Sequence, residues 1–402
     1  MSRSRPTPYR VPNTPPNPRP RSGVALGIVA AVVALAGVVA LALLGGGGGH
    51  DAGAGDAGAA SVTPWGGPGG PDKAVEWWSP VHGEPLGVAV DGADVAAAAL
   101  DEVRLLHAAS GRTRWKAVVD GVRRYRPAVG GDRVAATSEV ELVLLDRADG
   151  ARIAAVPFAG PGPAAVLAVP GGRSVAVAGS ETGAILALDA GTGAVLWSGQ
   201  YPGQVTVGPR TEAGLVVASW HDRPGATVRA FDALTGELRW QAAAGVMAGA
   251  PAVAPGTVLF TDGEGVHAAR VRAVDARTGR DRWSTPLAGW FDDELESAVD
   301  ATTLYVLDGM GAVTALDLAT GTVRWHEETG RPLVDGRLAL TRDAVVFASY
   351  DDELMVLDRA TGRLRSAEVQ RGVPVDLAAA PGRLVVALRL GAPSRVEARP
   401  EP

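Results

Sequence analysis

Short apolar runs separated by polar turn residues recur along the chain. Val228, Ala230 and Phe231 precede one such turn. Val271 and Val274 precede the next. Apolar positions that alternate or run together over a few residues, bounded by Asp, Thr and Gly, are typical of strands packed between neighbouring sheets. The pattern therefore predicts an all-β fold for most of the chain.

The turns share a phrase in which Asp and Thr precede a Gly. Residues 186–197 read LALDAGTGAVLW, and residues 229–240 repeat the pattern as RAFDALTGELRW. The Asp and Thr side chains can bond backbone N–H groups, and the Gly supplies the positive φ of a tight hairpin. A period of about 40 residues built from strands predicts a β-propeller with one blade per repeat. The turn glycines are Gly111, Gly150, Gly193, Gly236, Gly279, Gly321 and Gly362.

A tryptophan follows the turn glycine by four residues in five of the repeats. A side chain of this size on the second arm of a hairpin can bury roughly 150–250 Å² against a neighbouring blade. The second repeat has Ala154 at this position and the last repeat has Ser366. We predict that the tryptophans dock each blade onto the next one. They are Trp115, Trp197, Trp240, Trp283 and Trp325.

The phrase Ala-x-Asp-x-x-Thr-Gly-x-x-x-Trp resembles the tryptophan-docking repeat of the PQQ-like β-propeller family, over roughly residues 74 to 400. That family includes quinoprotein alcohol dehydrogenases and the propeller lipoprotein of the outer-membrane barrel-assembly machine. The chain resembles an actinobacterial-type, membrane-anchored member. The resemblance implies a propeller of four-stranded blades, with either a scaffold role or quinone chemistry.

The number of blades can be argued from the other hairpin of each repeat. Eight short turn signals fall between an inner strand and its neighbour, against seven turns of the Asp-Thr-Gly type. The carboxy-terminal stretch offers three strands, and residues 75–80 near the start can supply the missing outer strand. We predict an eight-bladed ring closed by pairing the two ends, with seven blades as the alternative. Such closure removes exposed sheet edges.

The amino-terminal region has a different composition. Residues 1–22 hold five Arg, no acids and seven Pro, which predicts a disordered basic tail. Residues 23–44 carry no charge and are long enough for one transmembrane helix. The arginines place the tail in the cytoplasm, so the Gly/Ala/Pro-rich linker at 45–72 and the propeller at 73–402 are expected outside. A cleaved signal peptide is the alternative reading, and the length of the apolar run favours a retained signal-anchor.

Net charge bears on the class of partner. The whole chain carries −6 and the tail carries +5, which leaves −11 for the remainder. An acidic domain of this kind does not bind nucleic acid through its phosphates. We expect a protein partner in the cell envelope, and membrane contact only through the apolar segment.

Candidate catalytic chemistry is sparse. The chain has no Cys, and Asn occurs only at Asn13 and Asn17. In family members that bind pyrroloquinoline quinone, the resemblance implies a vicinal cysteine pair and a calcium ion held by acidic and amide side chains. The six histidines show no metal-ligand spacing, and no nucleophile elbow, P-loop or dinucleotide fingerprint occurs. We therefore predict no catalytic residues, no cofactor and no metal.

One surface carries a binding hypothesis. In a four-stranded blade, the loops between the second and third strands share a face with the connections between blades. In this chain those segments combine acids with aromatic residues, which suits a cationic peptide, sugar or protein partner. The predicted partner-binding residues are Asp222, Trp290, Phe291, Asp292, Asp293, Glu294, Tyr350, Asp351, Asp352 and Glu353.

The sequence as a whole predicts a single-pass membrane protein that presents a propeller outside the cytoplasm as a protein-binding scaffold in a bacterial envelope. The first alternative is a sensor that binds a small extracellular ligand and signals through the tail. The second alternative is a quinone-cofactor dehydrogenase.

Overall fold

The computed structural model describes residues 75–81, 84–122, 125–158, 160–203, 205, 210–212, 214–221, 225–245, 251–263, 269–290, 296–390 and 394–402. Residues 70–402 belong to one compact unit. The predicted tail, transmembrane helix and linker lie outside the described residues. Among the residues that are described, no helix is long and apolar enough to span a membrane.

The described residues form 32 β-strands arranged in eight antiparallel sheets. The first strand, β1 (Trp77–Val81), belongs to the last sheet of the ring, and the remaining strands follow in chain order. We number the sheets as blades 1 to 8. Blades 1 and 2 contain β2 (Pro85–Asp91), β3 (Asp94–Ala99), β4 (Glu102–His107) and β5 (Thr113–Val118), then β6 (Ala128–Gly130), β7 (Arg133–Thr137), β8 (Glu141–Asp146) and β9 (Arg152–Pro157). Blades 3 and 4 contain β10 (Pro161–Val169), β11 (Arg173–Ser180), β12 (Ala184–Asp189) and β13 (Val195–Gln200), then β14 (Arg210–Glu212), β15 (Leu215–His221), β16 (Ala226–Asp232) and β17 (Leu238–Ala244).

The second half of the ring repeats this arrangement. Blades 5 and 6 contain β18 (Ala252–Ala254), β19 (Thr257–Gly263), β20 (Ala269–Asp275) and β21 (Asp281–Pro286), then β22 (Glu296–Val299), β23 (Thr303–Leu307), β24 (Ala312–Asp317) and β25 (Val323–Glu328). Blades 7 and 8 contain β26 (Leu333–Leu340), β27 (Ala344–Ser349), β28 (Glu353–Asp358) and β29 (Leu364–Val369), then β30 (Val373–Ala380), β31 (Arg383–Arg389) and β32 (Ser394–Pro400), with β1 as the fourth strand.

The blades form a closed ring. The first strand of each blade contacts the first strand of the next, and β30 of blade 8 contacts β2 of blade 1. The prediction of eight four-stranded blades is therefore confirmed, and the seven-bladed alternative is wrong. We call the face with the Asp-Thr-Gly turns, between third and fourth strands, the lower face. The opposite face, with the turns between second and third strands, is the upper face.

Blade 8 joins the two ends of the propeller. Strand β1 pairs antiparallel with β32, in a register that runs from Trp77 opposite Ala398 to Val81 opposite Ser394. The backbone N–H of Glu76 extends the ladder to the Ala398 carbonyl, at 2.9 Å. Because β1 comes from the start of the propeller, closure needs contacts between residues more than 300 positions apart.

The core lies between the blades. The second and third strands are buried on both faces, as in β3, where every residue is buried. The fourth strands are half exposed. Each apolar cluster combines residues of two neighbouring blades, as in the cluster that joins Val385 and Val396 of blade 8 to Val95 and Leu106 of blade 1. Small side chains such as Ala96 to Ala99 let neighbouring sheets approach closely, which fits the low aromatic content of 5%.

Candidate functional site

The predicted docking tryptophans lie on the lower face, between blades. Each indole Nε1 donates a hydrogen bond to a backbone carbonyl of the following blade, as Trp240 does to Ala276 at 2.7 Å. Each ring also lies against the turn glycine of that blade, so that a Cβ on Gly279 would lie 2.8 Å from the Trp240 ring. The same arrangement holds for Trp115 with Gly150, Trp197 with Gly236, Trp283 with Gly321, Trp325 with Gly362 and, at the closing strand, Trp77 with Gly111.

The Asp-Thr-Gly turns are held by a repeated set of hydrogen bonds. In the turn of blade 6, Oδ1 of Asp317 accepts from the backbone N–H and the hydroxyl of Thr320, both at 3.0 Å. Oδ2 of Asp317 accepts from Arg324, at 2.7 Å. The Arg324 hydrogen bond, assisted by those of Thr320, lowers the pKa of Asp317 to about 2. These aspartates therefore stabilise the hairpin turns through their hydrogen bonds.

The arginine of this arrangement was not predicted from the sequence. It stands seven residues after the Asp and directly before the docking position, as in the dipeptides Arg239-Trp240, Arg282-Trp283 and Arg324-Trp325. Arg365 occupies the same place before Ser366 and bonds Asp358 at 2.6 Å. The recurring Arg-Trp dipeptide was the signal that could have identified it.

The predicted partner-binding residues that are described lie on the upper face. Trp290 lies in the connection from β21 to β22, and Tyr350 to Asp352 form the turn between β27 and β28. Glu353 opens β28. The other five, Asp222, Phe291, Asp292, Asp293 and Glu294, lie outside the described residues.

Backbone hydrogen bonds connect these upper loops across blades 6 and 7. The Trp290 carbonyl accepts from the N–H of Gly309, at 2.9 Å. The Gly309 carbonyl accepts from Leu333 at 3.3 Å, and the adjacent Pro332 carbonyl accepts from Tyr350 at 2.8 Å. The structure thus brings two separately predicted segments onto one continuous surface.

Three large side chains are exposed on this surface. Trp290 is 41% exposed, Met310 is 50% exposed and Tyr350 is 70% exposed. We call these three residues the upper apolar patch. Met310 was not predicted from the sequence, although a Met between two glycines in a turn is an unusual choice for a solvated loop. Aromatic and Met side chains are enriched where proteins bind one another.

The acids around the upper apolar patch divide into two groups. Asp308 is buried and accepts hydrogen bonds from the N–H groups of Trp290, Met310 and Ala312, so its role is to shape the loop. Asp351 is 60% exposed and lies 3.4 Å from Arg331, which also contacts Glu353.

Asp352 has a left-handed backbone with φ +58°. Its carbonyl accepts a hydrogen bond from Gln370 at 2.8 Å, which ties the turn to the next blade connection. The surface therefore combines a hydrogen-bonded backbone with exposed aromatic and thioether groups and an ion pair. Within the described part of the chain, no three His, Asp or Glu side chains are grouped for a metal ion.

Comparisons with solved structures find the same fold. BamB from Moraxella catarrhalis is 19% identical and superposes with a TM-score of 0.63, over 81% of this chain and 98% of that one. The computationally designed Ika8 protein is 16% identical with a TM-score of 0.61, over 80% and 98% of the two chains. Comparison with curated protein sequences gives no match. The family model described as outer membrane protein assembly factor BamB matches residues 138–363, more than half of the sequence, and the chain therefore belongs to this family of PQQ-like propellers.

Proposed function

We propose that this chain is a non-enzymatic scaffold that binds a protein partner in the bacterial cell envelope, with its propeller held outside the cytoplasmic membrane by the apolar segment at 23–44. The observation that carries the proposal is the upper apolar patch, with Trp290, Met310 and Tyr350 exposed on hydrogen-bonded loops. Membership of a family described by an outer membrane assembly factor supports the same class of function.

The physical argument concerns pre-organisation. Aromatic anchors dominate binding energy when their backbone is already fixed, because little conformational entropy is lost on association. Trp290 and Tyr350 stand on loops bonded to one another and to the ring, which provides that rigidity. Asp351 beside the patch, together with the acidic run from Asp292 to Glu294 that follows Trp290 in the sequence, favours a partner segment with positive charge.

Site-specific crosslinking tests the surface directly. A photo-reactive amino acid at position 350 or 310, in cells that express the full chain, is expected to give one discrete crosslinked product. The matched control is the same substitution at Val323, which is 48% exposed near the lower face. An equal product pattern from all three positions would contradict the proposal.

Charge reversal tests the chemistry of the partner. We expect Asp292→Lys, Asp293→Lys and Asp351→Lys together to reduce partner capture at least tenfold while thermal stability stays unchanged. Asp352 is left in place, because Lys at its positive φ would strain the backbone for an unrelated reason. Undiminished capture by the triple variant would remove the case for a cationic partner.

The orientation of the chain in the membrane can be tested with single introduced cysteines, because the sequence contains no Cys of its own. A single cysteine at position 350 is expected to react with a membrane-impermeant maleimide in intact cells. A cysteine at position 4, in the predicted cytoplasmic tail, should react only after lysis. Labelling of both positions only after lysis would place the propeller inside the cell.

A further inference from the structure

A cleft of about 340 Å³ opens on the lower face between blades 6 and 7. We call it the blade 6–7 cleft. Its lining includes four arginines and three aspartates, together with threonine hydroxyls and the edge of Trp325. The volume lies at the small end of the range for ligand sites. It is on the opposite face from the upper apolar patch, so the inference is independent of the proposed function.

Three of the four arginines are already paired. Arg359 of blade 7 reaches across to Asp300 of blade 6, at 2.5 Å, and its Nε donates to the Tyr305 hydroxyl. Arg324 binds Asp317, and Arg365 binds Asp358. Burial opposes ionisation of Asp300, but the hydrogen bonds from Arg359 and two backbone N–H groups outweigh it and lower its pKa to about 2. Asp300 is therefore a fixed negative charge.

Arg342 is the remaining cation. It lies in the turn between β26 and β27, and its side chain is exposed. Among the described residues its guanidinium has no ion-pair partner, although its carbonyl accepts a hydrogen bond from Arg359. A guanidinium in a concave site with all its donors available is a recognition group for planar anions.

Blades 1 and 2 provide an internal comparison. Arg147 there occupies the place of Arg359, because each donates its N–H to the corresponding turn, at Asp132 and at Asp343. Each of the two also accepts the docking tryptophan's hydrogen bond at its carbonyl. The two junctions are thus structurally equivalent.

The equivalent junctions differ in charge. Between blades 1 and 2, Arg147 binds both Asp91 and Asp94, and Asp94 also binds Arg114. Between blades 6 and 7, Thr303 takes the place of Asp94, since each starts the second strand opposite the end of the third.

Arg342 in turn takes the place of Gly131, directly before the aspartate that the two turns share. Asp343 and Asp132 are common to both junctions and do not account for the difference.

Asp317 stands opposite Thr303, where His107 stands opposite Asp94, so the two junctions hold equal numbers of carboxylates at these positions. The blade 6–7 cleft therefore differs by one additional guanidinium, that of Arg342.

We propose that the blade 6–7 cleft binds a carboxylate group, with Arg342 as its charged contact and the hydroxyls of Thr302 and Thr303 beside it. The ligand supplies a negative charge for Arg342, the one guanidinium that has no counterpart in the equivalent junction. A single carboxylate matches this one additional positive charge, whereas a phosphate dianion would face Asp343 and Asp358 with excess charge. The carboxylate can come from a small organic acid or from an acidic side chain of a protein segment.

Titration calorimetry on the full-length chain tests this proposal. The probes are propionate, a blocked peptide with a central Glu, and inorganic phosphate, at matched ionic strength. Saturable binding of propionate or of the peptide is expected, and the better of the two identifies the source of the carboxylate. Absence of saturable binding by both, or tighter binding of phosphate than of either, would overturn the proposal.

The internal comparison supplies the variants. Arg342→Gly and Thr303→Asp each restore the residue found between blades 1 and 2, and each is expected to weaken carboxylate binding at least tenfold. Arg277→Gln is the matched control, because Arg277 is an exposed turn arginine of blade 5 outside the cleft. Unchanged affinity in both cleft variants, or an equal loss in the control, would show that binding does not occur at this cleft.

Discussion

At the scale of single residues, the contact between a tryptophan and the turn glycine of the next blade recurs at six of the eight junctions between blades. The glycine meets two separate demands. Gly279 has φ +67°, which side chains disfavour, and its face is covered by the Trp240 ring. Gly382 has a similar φ of +72°, yet nothing lies within 4 Å of the position that a Cβ would take.

This pair of glycines separates backbone strain from steric overlap. We expect Gly382→Ala to lower the free energy of unfolding by about 1–2 kcal/mol, from the left-handed backbone alone. Gly279→Ala should cost a further ~1–3 kcal/mol, because the methyl group displaces Trp240. Urea unfolding of both variants measures the difference. In a Trp240→Ala background the difference should disappear, and equal losses in the original background would contradict the docking role.

At the scale of elements, each Asp-Thr-Gly hairpin is stabilised within itself and has a defined response to acid. In the folded chain the pKa of Asp275 and that of Asp317 are about 2, against a usual value of 3.8, chiefly because Arg282 and Arg324 donate hydrogen bonds to them. Between pH 4 and pH 2 the unfolded chain therefore binds more protons than the folded one. The contribution of these turns is complete above pH 4 and is lost as the pH falls toward 2.

Replacing the carboxylate tests this pH dependence. Asp317→Asn is expected to destabilise the protein at pH 7 and to reduce the decline in stability between pH 4 and pH 2, because one titrating group is lost. Chemical unfolding at several pH values measures both effects. Asp120→Asn, which changes an exposed aspartate in a blade connection, is the matched control. A profile of unchanged slope in Asp317→Asn would show that this turn is not acid-sensitive.

The elements were predictable from the sequence because their signals are local and repeated. The turn glycines, the docking tryptophans and the strand order all follow from a period of about 40 residues, and the closing strand followed from counting hairpins. Contacts between blades could not be predicted in the same way. Arg359 and Asp300 are 59 residues apart in the sequence and meet only because blades 6 and 7 pack side by side. The sequence also did not show which turn residues are exposed to solvent. Asp308 is buried and Met310 is exposed, although both lie in the same turn.

At the scale of the whole molecule, closure of the ring depends on one short strand. Without β1, the edge of β32 would be open and the Trp77 hydrogen bond to Ala108, at 2.8 Å, would be lost. Two ion pairs lie beside the same junction. They join Glu76 to Arg383 and Glu84 to Arg389, both arginines being in blade 8. An unpaired edge of this kind promotes association between chains.

A pair of shortened chains tests this dependence. A chain that begins at residue 73 keeps β1 and is expected to be monomeric and to unfold in one transition. A chain that begins at Glu84 should unfold at a lower temperature and elute as larger species from a sizing column, because blade 8 then has three strands. Adding a peptide of residues 73–83 should restore the monomer, since the pairing from Trp77 to Val81 needs no covalent link. In the longer chain, Trp77→Ala alone should cost about 3–5 kcal/mol. Equal stability and size for both shortened chains would show that the ring closes without β1.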